Sequence, residues 1–172
     1  QRTTAAINRT QERLATGLKV NSAVDNSVAF FDAATLTGRA TALQLLKDDI
    51  DQAVSAVQSA VDGIEAIEDI VEQMKGLALS AKSDSSSTNR SKAAVQFNDL
   101  KSQLDNLAND SSFKGTNLLK GSPGNLKVTF SEDGSSTLTV SGVASDASAL
   151  SIITAAADWA ADTNVDFAVN DL

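Results

Sequence analysis

The fold of this chain is decided by residues 46–81, which read LKDDIDQAVSAVQSAVDGIEAIEDIVEQMKGLALSA. Apolar residues recur here at alternating spacings of four and three: Leu46, Ile50, Ala53, Val57, Ala60, Ile64, Ile67, Val71, Met74, Ala78 and Ala81. This heptad pattern predicts a long α-helix that packs along its length and supercoils with a left hand. Further apolar residues widen the stripe, so we expect the helix to face more than one neighbour: Val54, Val61, Ile70 and Leu77.

The predicted helix extends upstream of the heptads. No proline occurs between Asn26 and Ser122, and apolar residues continue at helical spacing, so one helix is predicted from about Asn26 to about Ala81. Its length would be roughly 80–85 Å. Three glycines are each expected to weaken it by up to about 1 kcal/mol relative to alanine: Gly38, Gly63 and Gly76.

Downstream, the polar residues 83–89 predict a loop, and Ser/Thr-rich residues 83–91 are read as solvated. A second helix is predicted from a further heptad run, and we expect it to fold back antiparallel on the C-terminal half of the first: Ala93, Phe97, Leu100, Leu104 and Leu107. Residues 126–130 and 137–141 alternate apolar and polar side chains around Asp133-Gly134, which predicts a β-hairpin.

The pattern of residues 146–172 does not indicate one secondary structure. Residues 146–161 are compatible with a short helix that Trp159 would anchor, and Asn164 resembles the N-cap of a further helix through Leu172. The expected fold is mainly α (α+β): an elongated rod with one very long helix, a shorter antiparallel helix and a distal β-hairpin. Its expected segments are residues 1–121 (helical rod), 122–163 (hairpin and irregular distal region) and 164–172 (the start of a helix that is cut off).

Composition excludes several classes of function. The chain has 172 residues with 14 basic and 22 acidic side chains, a net charge of -8, so no basic surplus exists to bind a nucleic-acid backbone. It has no His and no Cys, which removes disulfides, zinc-type sites and His-based or Cys-based nucleophilic catalysis. We expect no enzyme activity, no metal and no cofactor.

No apolar run reaches about 18 residues and no leader pattern occurs at the N-terminus, so neither membrane insertion nor a cleavable signal peptide is expected.

Two polar-apolar motifs flank the long helix. The first spans residues 13–26, RLATGLKVNSAVDN, and predicts a helix that stops at Gly17 and a new helix capped near Asn26. The second spans residues 112–121, SFKGTNLLKG, and predicts a turn after the second helix.

These motifs carry a family resemblance. The first resembles the flagellin motif Arg-Leu-Ser-Ser-Gly-Leu-Arg-Ile-Asn-Ser-Ala, and the second resembles Asp-Phe-Asn-Gly-Thr-Lys-Leu-Leu-Asp-Gly of the same family. Residues 74–81, MKGLALSA, are similar to a third flagellin block, and all three occur in the family's order. The chain thus resembles the N-terminal half of the flagellin helical core, truncated at both ends, without the outermost N-terminal helix and the C-terminal arm.

The resemblance implies a structural subunit of the bacterial flagellar filament, located outside the cell; the alternative is a hook–filament junction (hook-associated) protein. Implied partners are other flagellin subunits, an export chaperone, the filament cap and hook-associated proteins. The first motif would join two filament layers and supply contact residues: Arg13, Leu14, Gly17, Asn21, Ser22 and Asp25. Among these, Arg13, Asn21 and Asp25 would form charge-assisted hydrogen bonds.

The other two motifs imply further roles. The second would close the bundle end through Phe113, Gly115, Leu118 and Leu119, with Gly115 in a backbone conformation that a Cβ resists. Positions that contact a toll-like innate receptor in other flagellins fall at Gln73, Leu77 and Gln96, where the family has Arg, Leu and Glu. Because both charged anchors are absent, weak receptor binding is expected.

Overall fold

The computed structural model describes residues 2–161 and 164–166. Within these ranges the helices are α1 (Arg2–Thr16), α2 (Ser27–Ser83) and α3 (Ser87–Asp110). Two antiparallel strand pairs follow, β1 (Ser112–Phe113) with β2 (Thr116–Asn117), and β3 (Asn125–Thr129) with β4 (Thr137–Ser141). A 3-10 turn spans Ala156–Trp159. None of the described helices has the length and hydropathy that a bilayer span requires.

The long helix α2 begins and ends close to the predicted residues. It has 57 residues, which corresponds to about 85 Å. The side chain of Asn26 caps it, because its Oδ1 accepts a hydrogen bond from the Ala29 amide at 3.1 Å. The Asp84 amide donates to the Ala81 carbonyl at 3.2 Å at the other end, so α2 continues two residues beyond Ala81.

The loop between α2 and α3 is shorter than predicted, because residues 83 and 87–89 are helical and only residues 84–86 connect the helices. Asp84 accepts hydrogen bonds from the Ser86 amide at 2.7 Å and from the Asn89 side chain at 2.9 Å. These bonds, the Ser86 amide first, lower the pKa of the Asp84 carboxyl below its usual value. Polar side chains that the sequence suggested as loop residues instead cap and begin a helix.

Helix α3 packs antiparallel on the C-terminal half of α2, as predicted. At one end, the three-residue connection places Ala81 beside the start of α3. At the other end, a Cβ on Gly63 would lie against the Ser111 side chain. One continuous apolar cluster fills the space between them and includes Ile67, Met74, Ala78, Ala81, Ala94, Phe97, Leu104 and Ala108.

The buried seam of α2 departs from the predicted one upstream of Ile67. Val57 and Ile64 were expected in the seam but are exposed, and the neighbouring small residues Ala56 and Gly63 are buried instead. The reason is close approach, because the chain after α3 lies so near α2 that only small side chains fit. Leu119 Cδ1 would stand 2.8 Å from a Cβ on Gly63.

The hairpin of β3 and β4 has Val128 opposite Leu138 and turns at Gly134, whose φ of +72° suits the predicted Asp-Gly turn. It packs beside the middle of α2, at the end of the bundle away from residues 84–86. Arg39 Nε lies 3.1 Å from Glu132 Oε2, which ties the hairpin tip to α2.

Residues 143–161, which we call the strap, run from the hairpin back along α3. The strap starts on the bundle end, where the Val143 and Ser145 amides donate to the carbonyls of Leu118 and Leu119 at 2.8 and 2.7 Å. Residues 146–161 were compatible with a short helix, and the regular structure there is the 3-10 turn. Trp159 does anchor this segment, since it is fully buried and its ring centroid is 5.0 Å from that of Phe97.

The strap shares the apolar cluster of α2 and α3 through Ala147, Ile152, Ala155 and Trp159. The residues expected to form a distal region thus pack on the helical rod along much of its length. Of the helix predicted over residues 164–172, residues 164–166 are described and are helical; the rest lies outside the described residues.

Two glycines of α2 provide a matched test of the close approach at the bundle end. We expect Gly63→Ala to destabilise the protein by about 1–3 kcal/mol, because the added methyl group overlaps Ser111 and Leu119. Gly76 has open space around it, so Gly76→Ala should stabilise by up to about 1 kcal/mol through helix propensity. Urea unfolding followed by circular dichroism at 222 nm measures both. Equal stabilisation by the two substitutions would contradict the packing at Gly63.

Candidate interaction surfaces

The first motif forms a joint between α1 and α2. Gly17 ends α1 with a φ of +69°, and its amide donates to the Arg13 carbonyl at 2.9 Å. Thr16 Oγ1 then donates to Asn21 Oδ1 at 2.8 Å, and the Asn21 amide donates to Asp25 Oδ2 at 3.4 Å. These bonds fold the connection into a compact turn that leads directly into the cap of α2.

The joint also contains an ion pair that the sequence did not predict. Asp25 Oδ1 lies 3.6 Å from Arg9 Nε, whereas Arg13 is not paired with an acid anywhere in residues 2–161 and 164–166. Arg9 lies one helical turn before Arg13, and there it faces the returning segment. The sequence did not single out Arg9. The resemblance pointed to Arg13, and no spacing rule identifies the arginine that pairs with Asp25.

The joint leaves its apolar side chains in solvent. Val24 is 96% exposed, and Leu14 and Leu18 are exposed as well. Ser22 is also exposed, and its carbonyl accepts from the Asp25 amide at 3.1 Å. Exposed large apolar groups grouped on one segment are typical of surfaces that other chains cover. Contacts of these residues with other subunits remain a prediction.

The second motif closes the end of the α2–α3 pair. Lys114 and Gly115 have φ values of 47° and 84°, so they form the two-residue turn with positive φ that a tight β1–β2 hairpin needs. Gly115 therefore has the backbone conformation expected for it. Leu118 and Leu119 are buried in the bundle end, while Phe113 is half-buried.

Asn117 fixes this turn to α3. Its Nδ2 donates to the carbonyls of Ala108 and Asn109 at 2.9 and 2.8 Å, and its Oδ1 accepts from the amides of Leu119 and Lys120 at 2.7 and 2.9 Å. The side chain is only 5% exposed. One amide group thus satisfies the last carbonyls of α3 and the backbone after β2 at the same time.

The structure brings the three receptor-matching positions together. Gln73, Leu77 and Gln96 line one shallow groove between α2 and α3, beside Asp99, Leu100 and Gln103. Gln73 and Gln96 are exposed and Leu77 is half-buried. At Gln73 and Gln96 the groove has side-chain amide groups, whereas the family pattern has charged side chains at these two positions.

A second apolar face of α2 is left open. Val54 is 62% exposed, and Val57, Val61 and Ile64 are exposed too. These four residues continue the spacing of three and four on the side that α3 does not cover. Val54 and Val57 border a groove with the hairpin residues Phe130 and Leu138, and Ile64 borders another groove with Leu150 of the strap. The widened stripe predicted this second face in general, but not that Val57 and Ile64 belong to it.

The family follows from a comparison with known sequence families. The bacterial flagellin N-terminal helical region matches residues 1–123, which include α1, α2, α3 and both motifs. The chain belongs to the bacterial flagellin family. The predicted family and mainly helical fold are thereby confirmed.

Individual flagellins are also similar to this chain in sequence. The chain is 31% identical over 163 residues to flagellin FljM of Caulobacter vibrioides, covering 90% of this chain and 59% of the relative. It is 29% identical over 148 residues to flagellin FljO of the same organism, covering 82% and 54%. The chain thus spans somewhat more than half the length of these two flagellins.

A solved structure is similar in fold. The crystal structure of Bacillus cereus flagellin superposes with a TM-score of 0.55 at 19% identity, covering 73% of this chain and 76% of that one. At this identity the similarity concerns the fold alone. It supports the arrangement of a long helix with a shorter helix folded back on it.

The hydrogen bonds of Asn117 lead to a prediction for the bundle end. We expect Asn117→Ala to destabilise the protein by about 2–3 kcal/mol, because it leaves buried carbonyl and amide groups unpaired. Asn106→Ala, at an exposed position of α3, is the control and should change stability by less than about 0.5 kcal/mol. Chemical denaturation measures both variants. A loss no larger than that of the control would show that Asn117 does not hold the turn.

Proposed function

We propose that this chain is part of a structural subunit of the bacterial flagellar filament, which polymerises through helix packing to build the propeller for swimming. Membership of the flagellin family and the extended helical rod both support this proposal. The observation that carries it is the open apolar face of α2, since exposed apolar residues at heptad spacing on a helix of about 85 Å are typical of a face that a partner helix covers.

The open apolar face of α2 suggests where a further helix of such a subunit would pack. The resemblance implies a C-terminal arm that supplies a long antiparallel partner helix, and the face of Val54, Val57, Val61 and Ile64 fits such a helix. The N-terminal part of α2 exposes further large apolar groups for contacts between subunits: Val28, Phe31, Leu36, Leu43 and Leu45. Neither the family match nor the relatives named above favour the hook-associated alternative.

The proposal extends to location and partners. A filament subunit lies outside the cell, and family-type partners are other subunits, an export chaperone, the filament cap and the hook-associated proteins. The joint residues Arg13, Leu14, Gly17, Asn21, Ser22 and Asp25 are our candidates for intersubunit contacts. Flagellins are structural proteins, and we propose that this chain has no catalytic activity of its own.

The filament function is tested on the intact flagellin that contains this sequence, expressed in a strain that lacks its own flagellin. We expect Val54→Asp with Val61→Asp to abolish filaments, because two carboxylates would be buried without partners in the assembled face. Both side chains are exposed in the chain itself, so the purified variant should keep its helix content by circular dichroism.

Ser55→Asp provides a control for added negative charge, because it places one carboxylate at an exposed polar position of α2. Electron microscopy should show filaments of normal length with this control and none with the double variant. Normal filaments from the folded double variant would overturn the role of the open face.

We further propose that the α2–α3 groove binds the toll-like receptor weakly, because Gln73 and Gln96 lack the charges of the family pattern. Reporter cells should respond poorly to the full-length protein. The double substitution Gln73→Arg with Gln96→Glu should raise potency by at least about tenfold, since restored charge pairs strengthen such contacts. Nanomolar potency of the unsubstituted protein would contradict the proposal.

A further inference from the structure

The strap is bound to α3 by side chains of the helix. Asp105 Oδ1 accepts from the Ala147 amide at 2.8 Å, and Asn98 Oδ1 accepts from the Ala155 amide at 2.9 Å. Arg90 Nε and Nη2 donate to the carbonyls of Trp159 and Ala160 at 3.1 and 2.8 Å. The three anchoring residues lie about two helical turns apart along α3, so the strap is held at three points along the helix.

Strain opposes this docking. Ser151 and Trp159 have φ values of 62° and 51°, a left-handed conformation that is unfavourable for residues with a Cβ. Trp159 is fully buried against Phe97, yet its Nε1 finds no acceptor in the described part of the chain. A buried indole N–H without a partner is a further cost. The side chains of Asp105, Asn98 and Arg90 therefore hold the strap on α3 despite the cost of the left-handed backbone and of the unpaired indole N–H.

Arg90 is the anchor that joins the strap to the rest of the bundle. Its Nη1 donates to the Asp84 carbonyl at 2.9 Å, at the residue that caps the end of α2. A single guanidinium thus binds carbonyls of the strap and of the α2–α3 connection. A lysine has a single ammonium group and cannot reproduce this fork of donors.

Both helices of the α2–α3 pair contribute buried residues to the apolar cluster that the strap also enters. Met74, Ala78, Leu104 and Ala108 are buried between the two helices. The strap adds Ala147, Ile152, Ala155 and Trp159 to one side of this core. Segments held mainly by side-chain hydrogen bonds and few apolar anchors are those that open locally below the free energy of global unfolding.

We propose that the strap is a separately opening cover of α3 and that Arg90 is the positioning residue that keeps it closed. Opening releases Trp159 from Phe97 and exposes one side of α3 while α2 and α3 stay paired. This inference concerns the fold of the chain and does not depend on the filament function proposed above.

The one tryptophan of the sequence makes the opening measurable. In urea titrations of the purified chain, fluorescence of Trp159 should change at a lower urea concentration than the helix signal at 222 nm. By hydrogen exchange, the amides of Ala147 and Ala155 should exchange at least about tenfold faster than those of Phe97 and Leu104. Coincident transitions, with equal protection of all four amides, would overturn the proposal.

Substitutions distinguish the effect of the Arg90 hydrogen bonds from the effect of its positive charge. Arg90→Lys should speed exchange of Ala155 by a further factor of about ten and lower the fluorescence midpoint, with the helix midpoint little changed. Lys92→Gln, at an exposed position of the same helix, should leave both midpoints unchanged.

Asn98→Ala serves as a second test in case the Arg90 variant fails to fold, and it should also speed exchange of Ala155 selectively. If Arg90→Lys behaves like the unsubstituted chain, Arg90 is not the residue that closes the strap. If Arg90→Lys and Asn98→Ala shift fluorescence and helix signals together, the strap belongs to the cooperative core and the proposal fails.

Discussion

The seam between α2 and α3 is the interaction on which the other parts of the structure depend. Isolated helices in water gain little from propensity alone, and α2, with its 57 residues, must obtain its stability from packing. Its C-terminal half does so against α3, where Met74, Phe97 and Leu104 are fully buried. The bundle end, the hairpin and the strap are all arranged on this pair, so each of them depends on the seam being formed.

Small residues decide how closely the remaining elements approach α2. Upstream of Ile67 the buried positions are Ala53, Ala56, Ala60 and Gly63, and the segment after α3 lies directly against them. Larger apolar residues of the same stretch are turned to the next face of the helix. The circumference of α2 is thus divided between an inner face of small residues and an outer face of valine and isoleucine. This division explains why a folded chain still carries a row of exposed apolar groups.

Irregular segments are ordered here by side chains of the helices and turns. Asn117 satisfies backbone groups on both sides of the bundle-end turn, and Arg90 binds the strap and the α2–α3 connection. Each such group replaces backbone pairing that a longer strand or helix would have supplied. Order in these segments therefore depends on a few polar contacts, whereas order in the helices depends on many small apolar ones.

The sequence by itself determined the long helix, the antiparallel second helix, the β3–β4 hairpin and the family, because heptad spacing, caps and turn residues are local signals. Asn26, Gly17 and Gly134 have the roles that their residue types predicted. Only the tertiary structure decided the face on which Val57 and Ile64 lie, the pairing of Asp25 with Arg9, and the path of the strap over α3. These features depend on contacts between residues far apart in sequence, and a pattern of spacings carries no information about which of two adjacent faces a distant segment covers.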